Sequence, residues 1–106
     1  MPGVLTALRK EQEIASVVAK VARKLAPDVV RIRHNIGEDW SGDPAIFFRV
    51  LLSDSASEED RLYKVAKHVK AVLSEAMQPY EALDLFEYFN FRSESEQAEI
   101  QEKSWA

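Results

Sequence analysis

Arg31, Arg33 and Asn35 alternate with apolar residues in one run of this sequence, Phe47, Arg49 and Leu51 in a second, and Tyr88, Asn90 and Arg92 in a third. Strand side chains two apart share a face, so strand structure in the three runs would assemble a band of guanidinium, aromatic and amide groups. Such a band can hold phosphates and stack bases. It can equally receive a protein, for which arginine and large aromatic residues are the usual anchors. The connection between the first two runs, GEDWSGDP at residues 37–44, adds Glu38, Asp39 and Asp43 around Trp40. Oxygen-rich loops hold hard cations, but this spacing lacks the alternating Asp positions and the closing Glu of a calcium loop, so no metal is expected. Turn formation by Asp and Gly is the simpler reading of the loop. Trp40 is then either a partner anchor or a lid folded over the sheet edge. Of the two histidines, His34 takes the inward parity of its run and His68 sits on a charged helix face. His34 beside a carboxylate would suit acid–base work, although a lone inward histidine is more often a hydrogen-bonded core residue. The sequence has no phosphate-binding Gly-Lys-Ser/Thr loop, no Gly-x-Ser-x-Gly elbow and no His-Glu-x-x-His pair. Neither an enzyme nor a cofactor is expected.

The elements that must position these groups are legible from periodicity. Residues 29–54, VVRIRHNIGEDWSGDPAIFFRVLLSD, read as two paired strands with a loop between them. Val30, Ile32, His34 and Ile36 then face one way with Ile46, Phe48, Val50 and Leu52, forming the core side. Before this hairpin, Ile14, Val17, Val18, Val21, Ala22 and Leu25 recur three and four apart, which predicts one helix over about residues 8–26, stopped by Pro27. Met1 to Thr6 give no periodic signal and are expected to fray. After it, Ser57 and Asp60 are spaced as a capping box, and Leu62, Val65, Val69, Val72 and Leu73 carry a helical stripe toward Pro79. Arg61, Lys64, Lys67, His68 and Lys70 make the outward side of that helix basic. Its simpler reading is a solvated surface, and its functional reading is contact with an acidic partner. The aromatic run from Leu83 to Arg92 predicts a strand, bulged or starting late at Phe86.

The expected fold is therefore an α+β two-layer sandwich of order α-β-β-α-β. Both helices lie on one side of a three-stranded mixed sheet, with the third strand parallel to the second through a right-handed crossover. Residues 1–92 form the single domain, and residues 93–106 an acidic arm or short helix that folds back, crosses to a second copy or waits for a partner. A chain of 106 residues with 46% apolar and 30% charged residues suits one folded core. The net charge of -4 argues against general affinity for nucleic acid. Lack of cysteine removes disulfides and thiolate metal sites, and without a long apolar window no membrane association is expected. The cytoplasm is the expected location.

The run from Val30 to Asp54 resembles the strand, Gly-turn, strand core of the minimal nucleotidyltransferase fold, whose members often pair with a helical toxin in prokaryotes. The resemblance implies the same α+β order and an antitoxin-like role in a bacterial protein pair. It does not carry the chemistry across. Gly37 is followed by Glu38 where that family has serine, and the Asp-x-Asp of the next strand is replaced by Ile46, Phe47 and Phe48. Two divalent ions have no ligands there. Small iron–sulfur scaffold domains share a similar order, but their cysteines are missing here. The leading expectation is a non-enzymatic interaction module, a homodimer or the smaller member of a protein pair. It would bind through Trp40, Phe47, Arg49, Leu51, Arg31 and Arg33 on an open sheet face. The alternatives are a nucleic-acid-binding face that adds Tyr88 and Arg92, and a catalytically degenerate transferase.

Overall fold

A computed structural model of the protein describes residues 4–78 and 85–106. Within them the chain forms α1 (Val4–Arg9), α2 (Glu11–Lys24), β1 (Val29–Glu38), β2 (Pro44–Leu52), α3 (Glu59–Ala76), β3 (Phe86–Ser93) and α4 (Glu94–Ile100), then a 3-10 turn at Lys103–Trp105. The sheet order is β1-β2-β3, with β1 and β2 antiparallel and β2 and β3 parallel. This is the α+β order expected from the sequence. No helix among the described residues is long and apolar enough to cross a membrane.

β2 runs down the middle of the sheet, and its alternate residues Ile46, Phe48, Val50 and Leu52 are fully buried. Ile14, Val18 and Val21 of α2 and Val69 and Leu73 of α3 close over them in a single cluster, so both long helices cover the same side. Phe89 of β3 stacks on Phe48 with ring centroids 5.3 Å apart. Each large apolar side chain buried this way stabilises the fold by about 1.5–3 kcal/mol. The other side of the sheet receives no long helix.

Several local details differ from the sequence reading, each for a physical reason. The first helix is broken at Lys10, whose N–H bonds back to the carbonyl of Ala7 at 2.9 Å, and the change of direction leaves both Ala7 and Ile14 fully buried. β1 shifts register between Val29 and Arg31, so Val29 rather than Val30 faces the core opposite Leu52, and Val30 is exposed. Ser57 does not cap α3. The N-cap is Glu58 with no side-chain bond, and the Ser57 hydroxyl instead donates to the Ser53 carbonyl at 2.8 Å, within a turn that buries Ala56. β3 begins at Phe86 and keeps an unbroken register with β2, so the late start holds and the bulge does not occur. Val4 to Thr6, expected to fray, instead form the first turn of α1, the helix that carries Ala7 into the core. Pro79, expected to end α3, Leu83, expected in the last strand, and Met1 to Gly3, the rest of the segment expected to fray, lie outside the described residues.

Candidate functional site

Register alone arranges the outward sheet side as three rows across β1, β2 and β3. They are Arg31, Leu51 and Arg92, then Arg33, Arg49 and Asn90, then Asn35, Phe47 and Tyr88. All of the residues expected to form the band are thus brought together on one surface. That surface is not open along its whole length.

The arm closes the row of Arg31, Leu51 and Arg92 and reaches Arg33 and Arg49 in the next, where Arg33 and Asn90 stay exposed. Ser93 starts α4 with a reciprocal capping box, its hydroxyl accepting from the Glu96 N–H while the Glu96 carboxylate accepts from the Ser93 N–H. Asp54, on the loop after β2, accepts from the Ser95 N–H at 3.0 Å and from its hydroxyl at 2.6 Å. These anchors hold a helix that buries none of its own residues. Gln101 then turns the chain in a left-handed conformation, φ 56°, and the last residues cross the sheet. Arg31 donates to the Trp105 carbonyl at 3.1 Å, Arg49 to the Ser104 carbonyl at 2.7 Å and Arg33 to the main-chain oxygen of Ala106. Arg92 donates to Gln97 and to Glu102, and its guanidinium carbon lies 4.4 Å from the centre of the Trp105 ring. Trp105 is 6% exposed and Leu51 5%. Leu51, expected as a contact residue on an open face, is therefore covered by the chain's own arm. A large aromatic residue in an otherwise polar tail gains more by lying on an apolar and guanidinium surface than by staying in water.

The row nearest the loop stays accessible. Asp39 organises the loop: its carboxylate accepts from the N–H groups of Ser41 at 2.9 Å and Asp43 at 3.0 Å and from the Tyr88 hydroxyl at 2.6 Å. Its main chain pairs with the Asp43 carbonyl and the Gly42 N–H, and Gly42 adopts φ +83°, a conformation that favours glycine. The Tyr88 bond, chiefly, with support from the backbone donors, holds the Asp39 carboxyl below its ordinary value. The same bond, reinforced by burial and the carboxylate charge, pushes Tyr88 up. Trp40 stands on this braced loop, 85% exposed, its ring centroid 5.7 Å from that of Tyr88 in an edge-to-face arrangement, and Tyr88 stacks on Phe47 at 5.3 Å. Trp40 is neither detached nor folded over the edge. Between this cluster and the arm lies a groove of about 380 Å³, lined by Asn35, Phe47, Arg49, Asn90, Arg92 and Trp105.

Comparison with family models, curated proteins and solved structures found no match for this chain. Its reading rests on the geometry above.

Of the remaining chemistry-bearing residues, some are engaged in the fold and others lie in solvent. His34 faces inward and meets Glu11 of α2 at 2.6 Å, joining helix to sheet, and no third group among the described residues bonds to the pair. Of the basic residues on α3, Arg61 donates twice to Asp28 at 3.0 Å, and Lys70 lies about 6 Å from the Phe89 and Phe91 rings. His68 is exposed. Glu38 and Asp43 of the loop are exposed, and no group of three or more His, Cys, Asp or Glu placed to hold a metal occurs among the described residues. Sequence reasoning missed the Ser93 cap, although Ser-x-x-Glu is its usual signature, and it missed the Asp39–Tyr88 clasp, which joins residues 49 apart.

Proposed function

We propose that this protein is a non-enzymatic interaction module that receives a protein partner at the loop end of its outward sheet side. The observation that carries the reading is Trp40, a large aromatic side chain left in water on a loop braced by Asp39 and Tyr88. Rigid exposed aromatic residues lose little conformational entropy on binding, and such anchors dominate interface energetics. Phe47, Tyr88 and the 55% exposed Phe86 extend the apolar surface beside it. Burial of Ile46 and Phe48, where the resembled transferases carry their metal-binding aspartates, supports a role without nucleotidyl transfer. A place as the smaller, antitoxin-like member of a bacterial protein pair fits this surface, as does pairing with a second copy.

The test compares wild type with Trp40→Ala in equilibrium unfolding, in sedimentation and in tagged recovery of a partner from the native host. Unfolding is expected to change by no more than about 0.5 kcal/mol. Association, with itself or with the recovered protein, is expected to weaken by more than about 1 kcal/mol. An association of wild-type strength in the variant would remove the proposal.

A further inference from the structure

Arg33 and Arg49 are direct cross-strand partners, and Arg31 lies two residues from Arg33 on the same face. Like charges directly opposite on a sheet destabilise it, and among the described residues no Asp or Glu side chain lies within ion-pair distance of these three guanidinium groups. Their acceptors are main-chain oxygens of the arm and the amide of Asn35. Nε of Arg31 is buried with no partner at all. The one acidic side chain that the arm pairs with an arginine of this face is Glu102, on Arg92.

What the arm places on this surface also indicates what else fits there. Three oxygen atoms sit on three guanidinium groups, and one aromatic ring lies against the plane of a fourth. Oxygens along a backbone with a ring stacked on arginine is how single-stranded nucleic acid is held. We infer that the arginine rows of the sheet form a binding site for single-stranded nucleic acid, which the Lys103–Trp105 turn occupies in its absence. The arm is attached, so it competes at a high effective concentration. A neutral ligand making the same contacts would not displace it. A phosphate backbone adds a full negative charge on the acceptor, so that both partners of each hydrogen bond are ionised, and the groove between Trp105 and Phe47, with Asn35 and Asn90 in its walls, gives a neighbouring base its place. This site centres on the two arginine rows and meets the Trp40 surface only at the Asn35 and Phe47 row.

The 106-residue protein is titrated with a labelled oligouridylate of about 12 nucleotides, a length within the usual span of such sites. Binding is read by anisotropy, and the Trp105 indole N–H by NMR, its resonance assigned with Trp40→Phe. The expected result is saturable binding in about 50 mM salt, with log K falling against log salt at a slope of about -2 to -3 for three or four neutralised phosphates. The Trp105 resonance should move toward its solvent-exposed position as the site fills. Trp105→Ala should bind at least about tenfold tighter, and Arg33→Ala with Arg49→Ala should bind at least about tenfold more weakly. No binding, or binding that leaves the Trp105 resonance in place, would overturn the inference whether or not Trp105→Ala folds. So would polyglutamate competing as well as the oligonucleotide, which would assign the surface to an acidic protein instead.

Discussion

Asp39 and Tyr88 fix the orientation of Trp40, and both report on it through pH. A carboxyl held below its ordinary value of 3.8 contributes stability that is present above that pH and is lost as pH falls through the lower folded value. A phenol pushed above 10.0 contributes stability that is present below that pH and is lost as pH rises through the higher folded value. The clasp is thus intact across the neutral range, and it opens at the acid end by protonation of Asp39 and at the alkaline end by ionisation of Tyr88. In Tyr88→Phe, the Asp39 carboxyl followed by NMR should titrate at higher pH than in wild type, and exchange of the Ser41 and Asp43 amides should quicken. An unchanged Asp39 titration would show that the backbone donors alone hold the loop.

At the scale of elements, α4 depends on its first turn more than on packing. Short polar helices are marginal in water, and this one buries no side chain. Ser93→Ala should therefore cost about 1 kcal/mol in urea unfolding. Ser57→Ala, at the position the sequence marks as the cap of α3, should cost only about 0.5 kcal/mol, because that hydroxyl bonds a preceding turn. Equal losses at the two positions would contradict the assignment of the caps. Asp54 adds an acid-sensitive anchor. The Ser95 hydroxyl first, and then the Ser95 N–H, hold its carboxyl below the ordinary value, so the contribution is present above pH 3.8 and fades below it. In the main body, Leu73 of α3 is fully buried against the sheet, and Leu73→Ala should cost about 2–5 kcal/mol by the same measurement.

In the molecule as a whole, the two sides of the sheet are closed by different means. One carries α2 and α3 over an aliphatic and aromatic core, while the other carries a seam of arginine, main-chain carbonyl and a single tryptophan. Trp105 is the apolar centre of that seam and shields Leu51. Trp105→Ala should destabilise the protein by about 1.5–3 kcal/mol, the value of one large side chain returned to water. Hydrogen exchange should show the loss first in residues 93–106 and at Leu51, with α2 and α3 protected as before. A uniform loss of protection would mean that the arm and the core unfold as one unit.

The sequence by itself determined the element order, the two helical stripes, the central hairpin and the grouping of Arg31, Arg33, Arg49, Tyr88 and Arg92 on one surface. Each of these follows from a period of two or of three and four read over neighbouring residues, and strand pairing turns the period into a face. It did not determine the fate of that surface. Whether Trp105 lies on Arg92, whether Tyr88 reaches Asp39 and whether Val29 or Val30 turns inward depend on residues distant in the chain or on a register shift of one position, which local periodicity does not encode. The arm is the clearest case. Its composition is that of a solvated tail, and only the three-dimensional placement of four guanidinium groups gives its carbonyl oxygens and its one tryptophan a surface to bind.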